Sequence, residues 1–266
     1  MNFLIWLAVM PSIIIGLLIY KADKKEKEPT SELIKSALMG VVAIIVTLII
    51  SFITGVTKIS INNLNSIETI LYTFLGIALV EEFSKWLCTY LFVKNNKNFN
   101  YLFDGIVYAV FVSLGFATIE NILYTFSGGV LTGIIRAVTT VPSHAFYGIF
   151  MGYYLSRAKE AKIKKNNDSI KYYFYSLITP ILLHGIFDSL LLLQNIFLLL
   201  IFIIFVIILY IISINKVKKL SLDECLFEED TTTILPTNEI NYCSNCGTKI
   251  EGKFCINCGK EVKPNS

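Results

Sequence analysis

Long apolar runs alternate along this chain with short polar stretches rich in lysine. A helix needs about 20 mainly apolar residues to cross the hydrocarbon core of a bilayer. On that measure the pattern predicts about seven transmembrane helices, near Phe3–Tyr20, Leu33–Ile53, Glu68–Val93, Tyr101–Phe126, Val130–Ser156, Lys171–Leu193 and Asn195–Ile214. Only the short break at Gln194–Asn195 divides the last two. The first run contains Pro11, lacks a positive segment before it and is followed by lysines, so it reads as a retained helix rather than a cleaved signal peptide. No internal repeat is visible.

Composition agrees with this reading. Hydrophobic residues make up 55% of the chain and charged residues 16%, against about 25% charged in an ordinary soluble domain. The net charge of +3 matters less than its placement. Lys21, Lys24, Lys25 and Lys27 follow the first run, Lys94 and Lys97 the third, Arg157, Lys159, Lys162, Lys164 and Lys165 the fifth, and Lys216, Lys218 and Lys219 the last, while the alternate connections carry only Lys58. Cytoplasmic loops carry the excess of Lys and Arg. The expected arrangement is therefore a multi-pass protein of the cell membrane, with its N-terminus outside and its C-terminus in the cytoplasm. Basic clusters of this kind meet a lipid surface, and they argue against nucleic acid as a partner.

After Lys219 the chain turns polar. The expected organisation is a transmembrane domain over 1–219, a flexible linker over 220–241 and a small domain over 242–266. That last segment holds Cys243, Cys246, Cys255 and Cys258 as two Cys-x-x-Cys knuckles eight residues apart. Each knuckle aims two thiolates at one point, and together they supply the four-sulfur shell of a structural zinc ribbon. So short a segment has no core of its own and depends on the metal for folding. A disulfide or redox pair is the rival reading, disfavoured by a reducing cytoplasm. The ribbon reads as a docking or regulatory module whose partner the sequence does not identify. Cys88 and Cys225 have no evident partner and read as inert side chains.

Several runs carry ionisable groups. An acidic or basic side chain at mid-bilayer costs roughly 2.5–3.5 kcal/mol on insertion scales, so such groups face the protein interior and mark function by default. Glu81, Glu82, His144 and His184 fall near the midpoints of three runs, and those two are the only histidines in the chain. At about 1.5 Å rise per residue, Glu120 and Asp188 come out roughly 8–10 Å further toward the outside. His184 and Asp188 share a helix face, as do Glu81 and Lys85. Pro142 and Pro180 precede the histidines and are expected to kink their helices, while Gly148 and Gly152 permit close helix approach. Lys85 and Asp104 read as structural or orienting groups, and Arg136, near the outer end, is expected to snorkel.

The chemistry these groups fit is hydrolysis. A carboxylate serves as general base on water, and a histidine steadies the oxyanion or protonates the leaving amine. Two histidines with a carboxylate also suit a catalytic zinc, although no His-Glu-x-x-His helix is present. Acid–histidine sets also serve proton relays, which keeps a proton-coupled transporter or channel open as a rival. A non-catalytic scaffold presenting the ribbon is a third reading.

Taken together, Glu81-Glu82-Phe-Ser-Lys85, Phe103-Asp-Gly-Ile-Val-Tyr108 leading through Gly115-Phe-Ala to Glu120-Asn121, His144 with Gly148, and His184-Gly-Ile-Phe-Asp188 resemble the PrsW family of intramembrane proteases. That family is similar to a wider group containing CAAX prenyl proteases and bacteriocin-processing relatives. The resemblance spans about Leu33 to Leu193. It implies endoproteolysis at the membrane, in some members of anti-sigma factors during envelope stress. It implies that Glu81-Glu82 supply the catalytic carboxylate and that His144 and His184 are essential, with Asp188 where the wider group has Asn or Asp. It leaves open whether the mechanism uses a metal or glutamate alone. The linker and ribbon lie outside the resemblance. The reading is a membrane-embedded endopeptidase with Glu81 or Glu82 as base, and with Glu120, His144, His184 and Asp188 in the same site.

Overall fold

The computed structural model of the chain describes residues 2–60, 64–222 and 227, and these are helical almost throughout. Helix α1 spans Asn2–Ala22 and α2 spans Thr30–Thr54. A continuous rod follows, made of α3 (Ser66–Leu71), a π-helical segment (Tyr72–Ala78) and α4 (Leu79–Val93). Then come α5 (Leu102–Val138), α6 (Thr140–Ile163), α7 (Ser169–Leu192) and α8 (Ile196–Leu222). The rod starts at Ser66, two residues before the expected edge, and Asn65 caps it: its side chain accepts the Ile67 and Glu68 N–H groups at 3.0 Å, and its own N–H donates to Glu68 Oε2 at 2.8 Å.

Among the described residues, five helical stretches are long and apolar enough to cross a membrane: Phe3–Ala22, Thr30–Thr54, Leu102–Ile163, Ser169–Leu192 and Ile196–Leu222. The protein is an all-helical, polytopic membrane protein. The long stretch contains the two runs expected at Tyr101–Phe126 and Val130–Ser156. It reverses at Gly129, whose φ of 78° and ψ of −168° take the backbone out of the helix where a side chain would be strained. The arms on either side of this turn pack together, with Thr125 against Gly133 and Asn121 bonded to Arg136. The rod Ser66–Val93 stands apart because the π segment divides it and Glu81, Glu82 and Lys85 lower its hydropathy.

Helices α5 and α6 run antiparallel through the middle of the bundle. Their approach is close because a Cβ on Gly152 would land on the Gly105 carbonyl, and one on Gly148 would lie 3.0 Å from the Ala109 carbonyl oxygen. Around this pair, Phe103, Ile106, Val107, Val110, Ala145, Tyr147 and Ile149 are buried in one apolar cluster, joined by Phe202, Val206 and Leu209 of α8. The outward side chains are apolar as well: Phe52 and Ile53 of α2 and Ile203, Ile204 and Ile208 of α8 are exposed. Such a surface is stable only in contact with lipid.

Pro142 does not kink the interior of a long helix, as expected from its position. It lies in the first turn of α6, just after the break at Thr139, whose φ is −116° and ψ −70°. Having no N–H, Pro142 leaves the Val138 carbonyl without its helical donor. The Tyr210 hydroxyl of α8 donates to that carbonyl at 2.9 Å instead. The break therefore keeps its hydrogen bonding, at the cost of a cross-helix partner.

Where α1 passes to α2, the connection folds against the start of α5. Asp104 accepts the Asn100 N–H at 2.8 Å and the Tyr101 N–H at 2.6 Å, a structural capping role as expected. Glu28 is buried and accepts from the Tyr108 hydroxyl. Burial pushes the Glu28 carboxyl up to about 7 and that of Asp23, also buried, up to about 6. Phe227 packs its ring on Phe99, and its N–H bonds the Asn100 carbonyl at 2.7 Å.

Candidate active site

Helix α4 supplies Glu81, Glu82 and Lys85, α5 supplies Glu120 and Arg136, α6 supplies His144, and α7 supplies His184 and Asp188. The structure brings all eight side chains into one network. Lys85 is its hub and is fully buried. Its ammonium lies 2.7 Å from Glu82 Oε1, 3.0 Å from His144 Nδ1 and 3.5 Å from Glu81 Oε2, and 4.2 Å above the Phe116 ring. An ammonium only donates, so His144 Nδ1 accepts and the ring carries its proton on Nε2. That nitrogen donates to Glu120 Oε2 at 2.9 Å.

His184 is held differently. Nδ1 lies 2.8 Å from Glu82 Oε1, and Nε2 lies 3.4 Å from Asp188 Oδ2, so either nitrogen can carry a proton toward a carboxylate. Tyr147 stacks on this imidazole at 5.1 Å, and the two histidine rings meet edge to face at 5.5 Å. Helix α7 is pinned in register by the π segment. Thr73 and Ser189 share a hydrogen bond of 2.5 Å, and a Cβ at Gly185 would overlap the Phe74 ring. These contacts flank His184 and Asp188 in sequence, so they set which face α7 turns to α4.

The site has a floor and a rim. Glu82 and Lys85 are closed to solvent and the His144 side chain is 2% exposed, whereas Glu81 keeps 14%, Glu120 17% and Asp188 19%. Glu82 Oε2 is buried without a hydrogen-bond partner among the described residues. Glu81 is common to two groups whose donor atoms lie within 4.8 Å of one another: Glu81, Glu120 and His144, and Glu81, Glu82 and His184. With its four carboxylates ionised, the network exceeds the charge of Lys85 and Arg136 by two. A proton on His184 would offset one of these charges, and a divalent cation both. The nitrogen and oxygen donors, the orphaned Glu82 oxygen and this charge all fit a divalent metal.

Two expectations need correction. The offset in depth assigned to Glu120 and Asp188 does not separate them from the histidines, because rise per residue locates backbone while these side chains reach back along their helices. Arg136 does not snorkel. It turns inward to Glu120 Oε2 at 3.2 Å and Asn121 Oδ1 at 3.0 Å, while Ile134, Ile135 and Val138 take the outward side. Its signal was in the sequence: Arg136 and Glu120-Asn121 stand at similar distances from the Gly128-Gly129 turn, which makes them partners across a hairpin. The π segment and Tyr147 had no comparable signal. Cys243, Cys246, Cys255 and Cys258 lie outside the described residues.

Residues 28–213 match the family described as PrsW family intramembrane metalloprotease. Protease PrsW of Geobacillus kaustophilus (strain HTA426) is 38% identical over 193 residues, covering 72% of this chain and 81% of the relative. Protease PrsW of Clostridioides difficile (strain 630) is 35% identical over 217 residues, covering 80% and 89%. Protease PrsW of Bacillus subtilis (strain 168) is 33% identical over 183 residues, covering 69% and 80%. No solved structure matches the chain.

Proposed function

Because this chain belongs to the PrsW family and is an intramembrane protease, we propose that Glu81, Glu82, Lys85, Glu120, His144, His184 and Asp188 form its hydrolytic centre, with Glu81 as general base. One observation carries the choice of Glu81 over Glu82. Glu81 sits at the rim, common to both donor groups and held, among the described residues, by Lys85 alone at 3.5 Å, whereas Glu82 is enclosed and committed to Lys85 and His184.

In this reading Glu81 takes a proton from water as the oxygen attacks the scissile carbonyl. His184 delivers a proton to the leaving amine, and Glu82 and Asp188 hold its ring in position for that transfer. Lys85 keeps Glu81 and Glu82 on one side of the site and fixes the tautomer of His144. A divalent metal would be held by Glu81 with Glu82 and His184, or by Glu81 with Glu120 and His144 once that ring gives up its Nε2 proton. When bound it supplies a Lewis acid for water and the scissile carbonyl.

The substrate class is a membrane-anchored protein, an anti-sigma factor being the kind that the family resemblance suggests. The chain would cross the bilayer seven times, the rod Ser66–Val93 and the two arms of the Gly129 turn included, with the basic connections in the cytoplasm and the N-terminus outside. The C-terminal cysteines would hold one structural zinc there, on a ribbon for an unidentified partner. The test of the centre is cleavage of candidate single-span substrates by purified protein, with fragments identified by mass spectrometry. Ala at Glu81, Glu82, His144 or His184 is expected to lower the rate by about 100-fold or more with insertion intact. Parental rates in all four variants, with substrate in excess, overturn the assignment.

A further inference from the structure

Arg136 lies in a segment whose large apolar side chains face outward. Ile134, Ile135 and Val138 are 48%, 51% and 59% exposed, while the Arg136 side chain is 12% exposed. Three contacts fix its guanidinium. Nη2 is 3.2 Å from Glu120 Oε2, Nε donates to Asn121 Oδ1 at 3.0 Å, and the fork lies 4.2 Å over the Tyr124 ring. Asn121 is itself anchored, donating to the Ala8 carbonyl of α1 at 2.8 Å. Nη2 makes no hydrogen bond among the described residues, so its hold on Glu120 is an ion pair, while the Nε bond and the ring face keep the guanidinium in place.

The oxygen that Arg136 approaches is the one His144 uses. Glu120 Oε2 lies 2.9 Å from His144 Nε2 and 3.2 Å from Arg136 Nη2. Moving the guanidinium therefore moves the acceptor that holds the imidazole proton on Nε2. The geometry points to Arg136 as a positioning residue: it fixes the Glu120 carboxylate, and through it the orientation and tautomer of His144. The inference rests on the placement of His144 and Glu120 in the hydrolytic centre. It also gives the Gly129 turn a purpose, since the reversal is what sets Arg136 opposite Glu120.

A double-mutant cycle tests it. Arg136→Gln, Glu120→Gln and the pair are purified with the parent, normalised to folded protein, and assayed for kcat and KM on one single-span substrate. Arg136→Gln is expected to lower kcat by about 10- to 100-fold, the scale of a small misplacement at a catalytic group, with KM within about twofold. In the Glu120→Gln background the same change should alter kcat by less than about twofold, because the carboxylate it positions is gone. Arg136→Lys should recover part of kcat, retaining charge without the two-point fork. If Arg136→Gln does not accumulate, Arg136→Lys goes through the same cycle.

A rise in KM with kcat unchanged, an undiminished loss in the Glu120→Gln background, or parental kcat in Arg136→Gln each overturns the positioning role. His144→Ala, assayed alongside, separates this failure from that of the site. Parental cleavage by His144→Ala overturns the hydrolytic centre itself. Loss there together with an unaffected Arg136→Gln overturns only the inference about Arg136.

Discussion

Replacing Lys85 by Met keeps much of the side-chain volume and removes the buried cation at the centre of the network. The ammonium sits 2.7 Å from Glu82 Oε1 and 3.5 Å from Glu81 Oε2. With an effective dielectric near 20, those separations correspond to gross attractions of about 6 and 5 kcal/mol. Desolvating the charges consumes several kcal/mol per ion, and the measured effect of breaking a buried pair is about 3–5 kcal/mol. For a helical domain of this size that corresponds to a fall in the thermal midpoint on the order of 10 °C in detergent. Cleavage should fall further than stability accounts for, by about 100-fold per folded molecule, because His144 loses the donor on Nδ1 and Glu81 the cation beside it. Adding Glu82→Gln to Lys85→Met removes the stranded charge, so the double variant should melt above the sum of its singles while cleavage stays low. Differential scanning fluorimetry and the fragment assay read the two quantities separately. A Lys85→Met protein that melts and cleaves like the parent would refute the account of Lys85 as the hub.

Three other outcomes follow from different parts of the molecule. Reporters fused after Lys165 and after Lys219 should report the cytoplasm, and one inserted after Lys58 the outside, and an outside signal at Lys219 contradicts the seven-crossing arrangement. Metal analysis of the purified full-length chain should lose about one zinc on Cys243→Ser or Cys258→Ser, with cleavage retained, and unchanged zinc removes the ribbon assignment. The carboxyls of Glu28 and Asp23 sit near 7 and 6 in the folded chain against ordinary values of 4.5 and 3.8. Their protonated forms favour the folded state, so this stability is complete below about pH 4 and is lost as pH rises through 6 and 7. The melting temperature should accordingly decline between pH 5 and 8, less steeply in Glu28→Gln, and an equal slope in the variant argues against the buried state of Glu28.

Most helices were legible because a membrane span announces itself by a long apolar run, and the runs near Leu33–Ile53 and Lys171–Leu193 coincide with α2 and α7 to within a few residues. The convergence of Glu81 with His144 and His184 was legible for the same reason, since each falls near the middle of its apolar run. Rotation about the helix axis was not. The distances from the Gly128-Gly129 pair put Arg136 level with Glu120, but the face it turns is set by Ile134, Ile135 and Val138 pointing outward, which the run does not show. The π segment was hidden as well, because Tyr72–Ala78 reads as ordinary apolar helix, and its hold on α7 depends on Ser189 and Gly185 far along the chain. The contact between Lys85 and His144 joins residues 59 apart, which no local pattern encodes.

The bond from the Tyr210 hydroxyl to the Val138 carbonyl gives the molecule a direction in time. Synthesis runs from the N-terminus, so the break before Pro142 reaches the bilayer well before α8 is made. Until Tyr210 arrives, a backbone carbonyl stands without a donor in a medium that offers few, a state worth several kcal/mol. His144 lies two residues beyond Pro142, within the first two turns of the same helix. The start of the helix that carries His144 is therefore incompletely bonded until α8 is in place. A chain ending before Tyr210 would contain every group of the active site and still lack the piece that completes its assembly.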